Sequence, residues 1–135
     1  MNDKQILLIE DNPDDAFLTL RTLRKHGIEE VVVLADGAQA LDYLFGRGEF
    51  ADCDASSSPS FILLDLKLPK VDGIEFLEGM LADARTGSIP VIVMSSSQEE
   101  RELEKCRSLG VRLYLEKPLN SGKLTKVLEE IAAYR

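Results

Sequence analysis

Five short apolar runs alternate with five amphipathic stretches of helical period along this 135-residue chain. Alternation of that kind, with short connections, demands right-handed crossovers and helices on both faces of a parallel sheet. The strand-like runs are Gln5 to Glu10, Val31 to Leu34, Ser60 to Asp65, Val91 to Ser95 and Arg112 to Glu116. The expected fold is therefore α/β, a (βα)5 doubly wound parallel five-stranded sheet of order 2-1-3-4-5. Its site is expected at the switch between strands one and three.

The helices between these strands carry their own start and stop signals. Asn12 offers an N-cap oxygen, Pro13 a preset φ, and Asp14 and Asp15 complement the dipole of the first turn. Phe17, Leu20 and Leu23 form the expected inward stripe, and Gly27 follows His26 as the stop. A second helix is expected from about Ala38 to Phe45. Asp72 and Glu75 stand at capping-box spacing before a third, which should run to about Arg85 and stop at Gly87. Ser97 and Glu100 form a second such box for a helix ending near Gly110. Asn120 caps the last helix, with Leu119 and Leu124 as a hydrophobic staple and Leu124, Val127, Leu128 and Ile131 as its buried stripe. Residues Gly46 to Ser60 are irregular and, at about fifteen residues, longer than most connections, so they read as a functional loop or an insertion.

The carboxyl ends of the strands are where the chemistry collects. Run one ends in Glu10-Asp11, run three in Asp65, run four in Ser95, and run five in Glu116-Lys117-Pro118. In an open parallel sheet these ends share one edge. Glu10, Asp11 and Asp65 would repel one another there unless a hard divalent cation joined them, which points to Mg²⁺. A hydroxyl from Ser95 and an amine from Lys117 beside such a cluster suit a phosphoryl group next to the metal.

Composition narrows the remaining choices. An apolar content of 44% supports a core for one domain spanning 1–135, with no effector domain expected. The net charge of −8 argues against a nucleic-acid or anionic-membrane partner. No apolar run is long enough to cross a bilayer and no signal peptide fits the start, so a cytoplasmic protein is expected. Cys53 and Cys106 lack metal-ligand spacing and read as free thiols.

Taken together, these residues resemble the response-regulator receiver domain of two-component signalling, a flavodoxin-like, CheY-like fold. The resemblance rests on Ile6-Leu7-Leu8-Ile9-Glu10-Asp11, Leu64-Asp65-Leu66-Lys67-Leu68-Pro69 with Asp72-Gly73, Pro90-Val91-Ile92-Val93-Met94-Ser95-Ser96, and Glu116-Lys117-Pro118. The Glu10-to-Asp15 opening and the long loop before strand three look like the stand-alone, phytochrome-associated group. The resemblance implies that Asp65 is the phosphoacceptor. Asp11, Asp65 and the Lys67 backbone carbonyl would hold Mg²⁺, with Glu10 acting through water. Ser95 would report phosphorylation, Lys117 would pair with phosphoryl oxygen, Tyr114 would be the switch aromatic, and the Lys117-Pro118 bond would be cis. Glu10 stands where an aspartate is commoner and Ser95 where a threonine is, each keeping the chemistry. The Lys67 side chain either gates the hydrolytic water or is simply solvated.

The implied partner is a sensor histidine kinase, of phytochrome type for that group. Output would pass through the surface of the fourth helix, fifth strand and fifth helix. A homodimer is expected there, its apolar part drawn from Leu113, Leu115 or Val127 if these are partly exposed. An alternative within the same class is a phosphate-transfer intermediate with no output of its own. An aspartate-based phosphatase fits less well, because Lys67 stands where such enzymes carry a second acid. The chain is thus not expected to be an enzyme beyond its own phosphorylation and dephosphorylation. His26, beside its helix-ending glycine, reads as a dipole-favoured residue rather than a relay histidine.

Overall fold

The structure, a computed structural model, describes residues 5–48, 59–66, 72–95, 100–117 and 119–134. In chain order the elements are β1 (Ile6–Ile9), α1 (Pro13–Lys25), β2 (Val31–Leu34), α2 (Gly37–Phe45), β3 (Phe61–Asp65), α3 (Gly73–Leu81), β4 (Val91–Ser95), α4 (Glu100–Ser108), β5 (Leu113–Glu116) and α5 (Ser121–Tyr134). All strand pairs are parallel, in the order β2-β1-β3-β4-β5. This is the expected (βα)5 architecture.

Side chains of successive strand residues point to opposite faces, so the three central strands must be apolar at every position to be buried on both. On one face Leu7, Ile9, Ile62, Leu64, Val91 and Val93 pack with Phe76, Leu77, Met80 and Cys106 from α3 and α4, and with Ala40 from α2. On the other, Ile6, Leu8, Phe61, Leu63, Ile92 and Met94 meet Ala16 and Leu23 of α1 and Leu124, Val127 and Ile131 of α5. Each side chain of this kind stabilises the fold by roughly 1.5–3 kcal/mol when fully buried.

Most helix signals act as expected. Asn12 Oδ1 accepts from the backbone N–H groups of Asp14 and Asp15, at 2.9 and 3.1 Å. Gly27 takes φ 78° after α1, a conformation that favours glycine. Asp72 and Glu75 complete a reciprocal capping box, and Asn120 Oδ1 accepts from Lys123 N at 2.9 Å. At Gly73 a Cβ would lie 2.7 Å from the Leu66 Cα, so only glycine lets α3 start this close to the end of β3. Ser97, Lys67, Pro118, Cys53 and residues 49–58 of the long loop lie outside the described residues, with the expectations placed on them.

Three expectations need correction. Phe17 does not belong to the inward stripe of α1: it is 61% exposed, with Leu18 at 51%, while Ala16, Thr19 and Leu23 are buried. Leu20 and Leu23 keep the expected stripe, and Ala16 and Thr19 complete it in place of Phe17. Helix α3 ends at Leu81 rather than near Arg85. There the Thr86 hydroxyl donates to the Met80 carbonyl at 2.6 Å and Asp83 Oδ1 accepts from Arg85 N at 2.8 Å. These side chains give the backbone partners that compete with a further helical turn. Helix α2 begins at Gly37, about where it was expected, with Asp36 as its cap accepting from Gln39 N at 2.7 Å. Finally, Leu113, Leu115 and Val127 are buried, so they offer no apolar surface for contact between copies.

Candidate functional site

Four of the five strands hand a polar group to the same edge. Glu10 follows β1, Asp65 ends β3, Ser95 ends β4 and Lys117 follows β5. The register aligns them: Ile9 pairs with Leu64, Asp65 with Met94, and Ser95 with Glu116. The backbone N–H of Lys117 donates to the Ser95 carbonyl at 2.8 Å, extending the ladder one residue to the lysine.

Lys117 is the hub of the site. Its Nζ lies 3.0 Å from Asp65 Oδ2, 3.1 Å from Glu10 Oε1 and 3.4 Å from Asp15 Oδ2. Glu10 also accepts from Asn12 N at 3.4 Å. Glu10, Asp65 and Ser95 are buried, whereas Asp11 is exposed. Burial, then the hydrogen bond and negative charge of Asp65, push the Glu10 carboxyl up to about 7, with Lys117 offsetting part of the rise. Burial works against the Lys117 ammonium, but Asp65 and Glu10 outweigh it and hold its pKa well above the usual lysine range. More carboxylates therefore share this edge than one ammonium can neutralise.

One ligand atom from each of Glu10, Asp11 and Asp65 falls within 4.8 Å of the others. Three hard oxygen donors at that separation, with an excess of negative charge, fit a hard divalent cation better than a softer metal. The chemistry such an edge supports is attack by a carboxylate oxygen of Asp65 on phosphorus, with positive charge beside it to receive the phosphoryl oxygens.

Tyr114 sits on β5, half-buried against the core face of α3 and α4. Its hydroxyl donates to the Val111 carbonyl at 2.8 Å, and the Arg107 guanidinium lies 5.5 Å from its ring centroid. Burial, reinforced by Cys106, pushes the phenol up to about 12, with Arg107 pulling the other way.

A model of the response regulator receiver domain matches residues 6–129. The chain belongs to that family. It is similar to the probable methanogenesis regulatory protein FilR2 of Methanothrix harundinacea, at 39% identity over 96% of this chain and 81% of that protein. Among solved structures, the bacteriophytochrome response regulator RtBRR matches at 42% identity with a TM-score of 0.86, covering 94% of this chain and 76% of that one. Response regulator Rcp1 of Synechocystis sp. is 36% identical over 97% of this chain and 88% of its own length. The Mn²⁺-bound form of Rcp1 superposes with a TM-score of 0.77, at 35% identity over 96% of this chain and 92% of that one. This receiver is thus a response regulator of two-component systems, related to those of phytochromes.

Of the residues expected at the receiver site, the structure brings Glu10, Asp11, Asp65 and Lys117 together and sets Ser95 at the end of the adjoining strand. Tyr114 stands two residues before the end of β5, paired with Val93. Sequence reasoning missed the contact of Asp15 with Lys117, having assigned Asp15 only to the helix dipole. Nothing in local spacing signals it, because the two residues are 102 positions apart. Among the described residues no helix is long and apolar enough to cross a membrane.

Proposed function

We propose that this receiver accepts a phosphoryl group from a histidine kinase onto Asp65, with Mg²⁺ held by Glu10, Asp11 and Asp65, and thereby switches a protein-binding surface. The observation that carries the reading is the 3.0 Å approach of Lys117 Nζ to Asp65 Oδ2 beside three clustered carboxylates. In the transfer a carboxylate oxygen of Asp65 forms a bond to phosphorus while the phosphorus–nitrogen bond of the donor phosphohistidine breaks. The electron pair leaves with the imidazole, which takes up a proton. Bound Mg²⁺ would neutralise charge on the transferring group and on the carboxylates. Lys117 would give an N–H to a phosphoryl oxygen. Ser95, buried at the end of β4, would donate its hydroxyl to another. The protein acts on no substrate but its own Asp65.

For output we assign the surface of α4, β5 and α5, with Tyr114 as its aromatic element. Contact between copies there would rest on charge rather than on the buried Leu113, Leu115 and Val127. Arg101, Lys105 and Arg107 alternate with Glu102 and Glu104 along α4, a pattern that sets register at about 0–1 kcal/mol per pair. The assignment is tested by phosphate uptake from a small acyl-phosphate donor. Wild type should label only with Mg²⁺ and Asp65→Asn not at all; equal labelling of that variant, or labelling in excess chelator, overturns it. Ser95→Ala should label but lose most of the change in amide exchange at α4. Sedimentation with and without beryllofluoride decides the dimer, which a monomer in both states at tens of micromolar would exclude.

A further inference from the structure

Asp15 is the charged neighbour of Lys117 that the phosphoacceptor reading leaves without a role. It stands in the first turn of α1, and its carboxylate is the third acceptor of the Lys117 ammonium, at 3.4 Å. An ammonium has three N–H donors. With Asp65 at 3.0 Å, Glu10 at 3.1 Å and Asp15 at 3.4 Å, three carboxylates stand ready to take all three. Glu10 and Asp65 are buried and part of the metal cluster, whereas the Asp15 side chain is 43% exposed and lies outside that cluster. Asp15 and Lys117 both line a cleft of about 310 Å³ between α1 and the segment after β5, with Leu18, Thr19, Met94 and Leu119 as its other walls. The pair is therefore open to solvent, and one partner can be displaced without unpacking the core.

We propose that Asp15 competes with the incoming phosphoryl group for Lys117 and so sets how readily Asp65 is phosphorylated. This inference rests on the reading of Asp65 as phosphoacceptor. A phosphoryl oxygen arriving at Asp65 needs an N–H that the resting protein has already committed. Asp65 and Glu10 are bound into the cluster, so the exposed Asp15 is the acceptor that gives way. Asp15 is a positioning residue: it acts through Lys117 and does not bond to phosphorus. Because the pair is exposed, the expected effect is at most about fivefold.

The experiment measures initial rates of Asp65 phosphorylation against acetyl phosphate concentration at saturating Mg²⁺, together with Mg²⁺ affinity. Asp15→Asn should lower the half-saturating donor concentration about two- to fivefold, with the maximal rate within about twofold of wild type. Asp15→Glu should restore the wild-type curve. Asp14→Asn removes the same charge from the same turn without touching Lys117, and should leave the curve unchanged. Mg²⁺ affinity should be the same in all four proteins. The inference is overturned by an unchanged half-saturation in Asp15→Asn, by an equal gain in Asp14→Asn, which would mean general repulsion of the donor, or by altered Mg²⁺ affinity, which would mean a role at the metal. A lower maximal rate would overturn it too, by showing that Asp15 helps the phosphorylated state. Failure of the phosphoacceptor reading is separate and shows as label on Asp65→Asn.

Discussion

The middles of the central strands and their carboxyl ends are one to three residues apart, yet they obey opposite physics. Ile6 to Ile9, Phe61 to Leu64 and Val91 to Met94 are buried apolar side chains packed from both faces, and each adds stability. Next in the same chain stand Glu10, Asp65 and Ser95, equally buried but polar. There Asp15 joins Glu10 and Asp65 around one ammonium, Asp11 lies in the carboxylate cluster beside it, and Glu10 responds with a carboxyl pushed up to about 7. A fold gains nothing from such an edge in isolation. The strands hold the sheet, and their ends keep a charge imbalance that a cation or a phosphorylation reaction can use.

The sharpest way to break this comparison is to substitute on either side of the boundary. Leu64→Ala, one residue before Asp65 and fully buried, should destabilise by about 2–5 kcal/mol in urea unfolding, from lost burial and the cavity left behind. A loss below about 1 kcal/mol would mean that the strand middle is as loose as its end.

Asp65→Asn should do the opposite in excess chelator, raising stability by about 1–2 kcal/mol. Removing its charge relieves the part of the Glu10 rise that Asp65 adds to burial, each unit of pKa returned being worth about 1.4 kcal/mol. The lost Asp65–Lys117 pair offsets part of that gain. With Mg²⁺ the order should reverse, because an ion bound only by the folded state adds to the stability of wild type more than to that of the variant. Destabilisation by Asp65→Asn in chelator would contradict the charge imbalance itself.

Tyr114 tests the boundary by titration, on a strand that reaches the same edge. Its phenol is raised from 10.0 to about 12, mainly by burial. A raised folded-state value means that the folded protein keeps its proton longer than the unfolded chain. The contribution is therefore complete below pH 10 and is lost as pH rises toward 12. Ultraviolet titration should show a late-ionising component that is absent from Tyr114→Phe. If all tyrosines of the wild type ionise together near pH 10, Tyr114 is not held inward.

The smallest effect is expected at Phe17, an apolar residue that is outside the core. Phe17→Ser should change stability by no more than about 0.5 kcal/mol, as surface substitutions do. A loss approaching that of Leu64→Ala would place Phe17 in a packed contact and undo the correction to the α1 stripe.

Much of the site was legible before any coordinates. Glu10, Asp11, Asp65, Ser95 and Lys117 each follow an unbroken apolar run, and parallel strands bring such ends to one edge whatever the details of packing. The caps at Asn12, Asp72 and Asn120 were legible for a similar reason, since a capping side chain reaches only a few residues along its own chain. Phe17 was misread because apolar period in α1 is short of evidence: Ala16, Phe17, Leu18 and Leu20 crowd one turn, and Thr19 rather than Phe17 meets the core. The end of α3 was misread because Thr86 and Asp83 capture backbone groups that helical period alone would assign to another turn.

The sequence by itself therefore determined the order of elements, the parallel sheet, and the polar edge with its excess of carboxylate. These follow from burial on two faces and from crossover geometry, which depend on residue type and spacing. Only the tertiary structure decided that Asp15 reaches Lys117 across 102 positions, that Leu113, Leu115 and Val127 are hidden, and that Phe17 is not. Those outcomes depend on how α1 and α5 are rotated and seated against the sheet, and that seating is settled by the sum of many small packing contacts rather than by any local pattern.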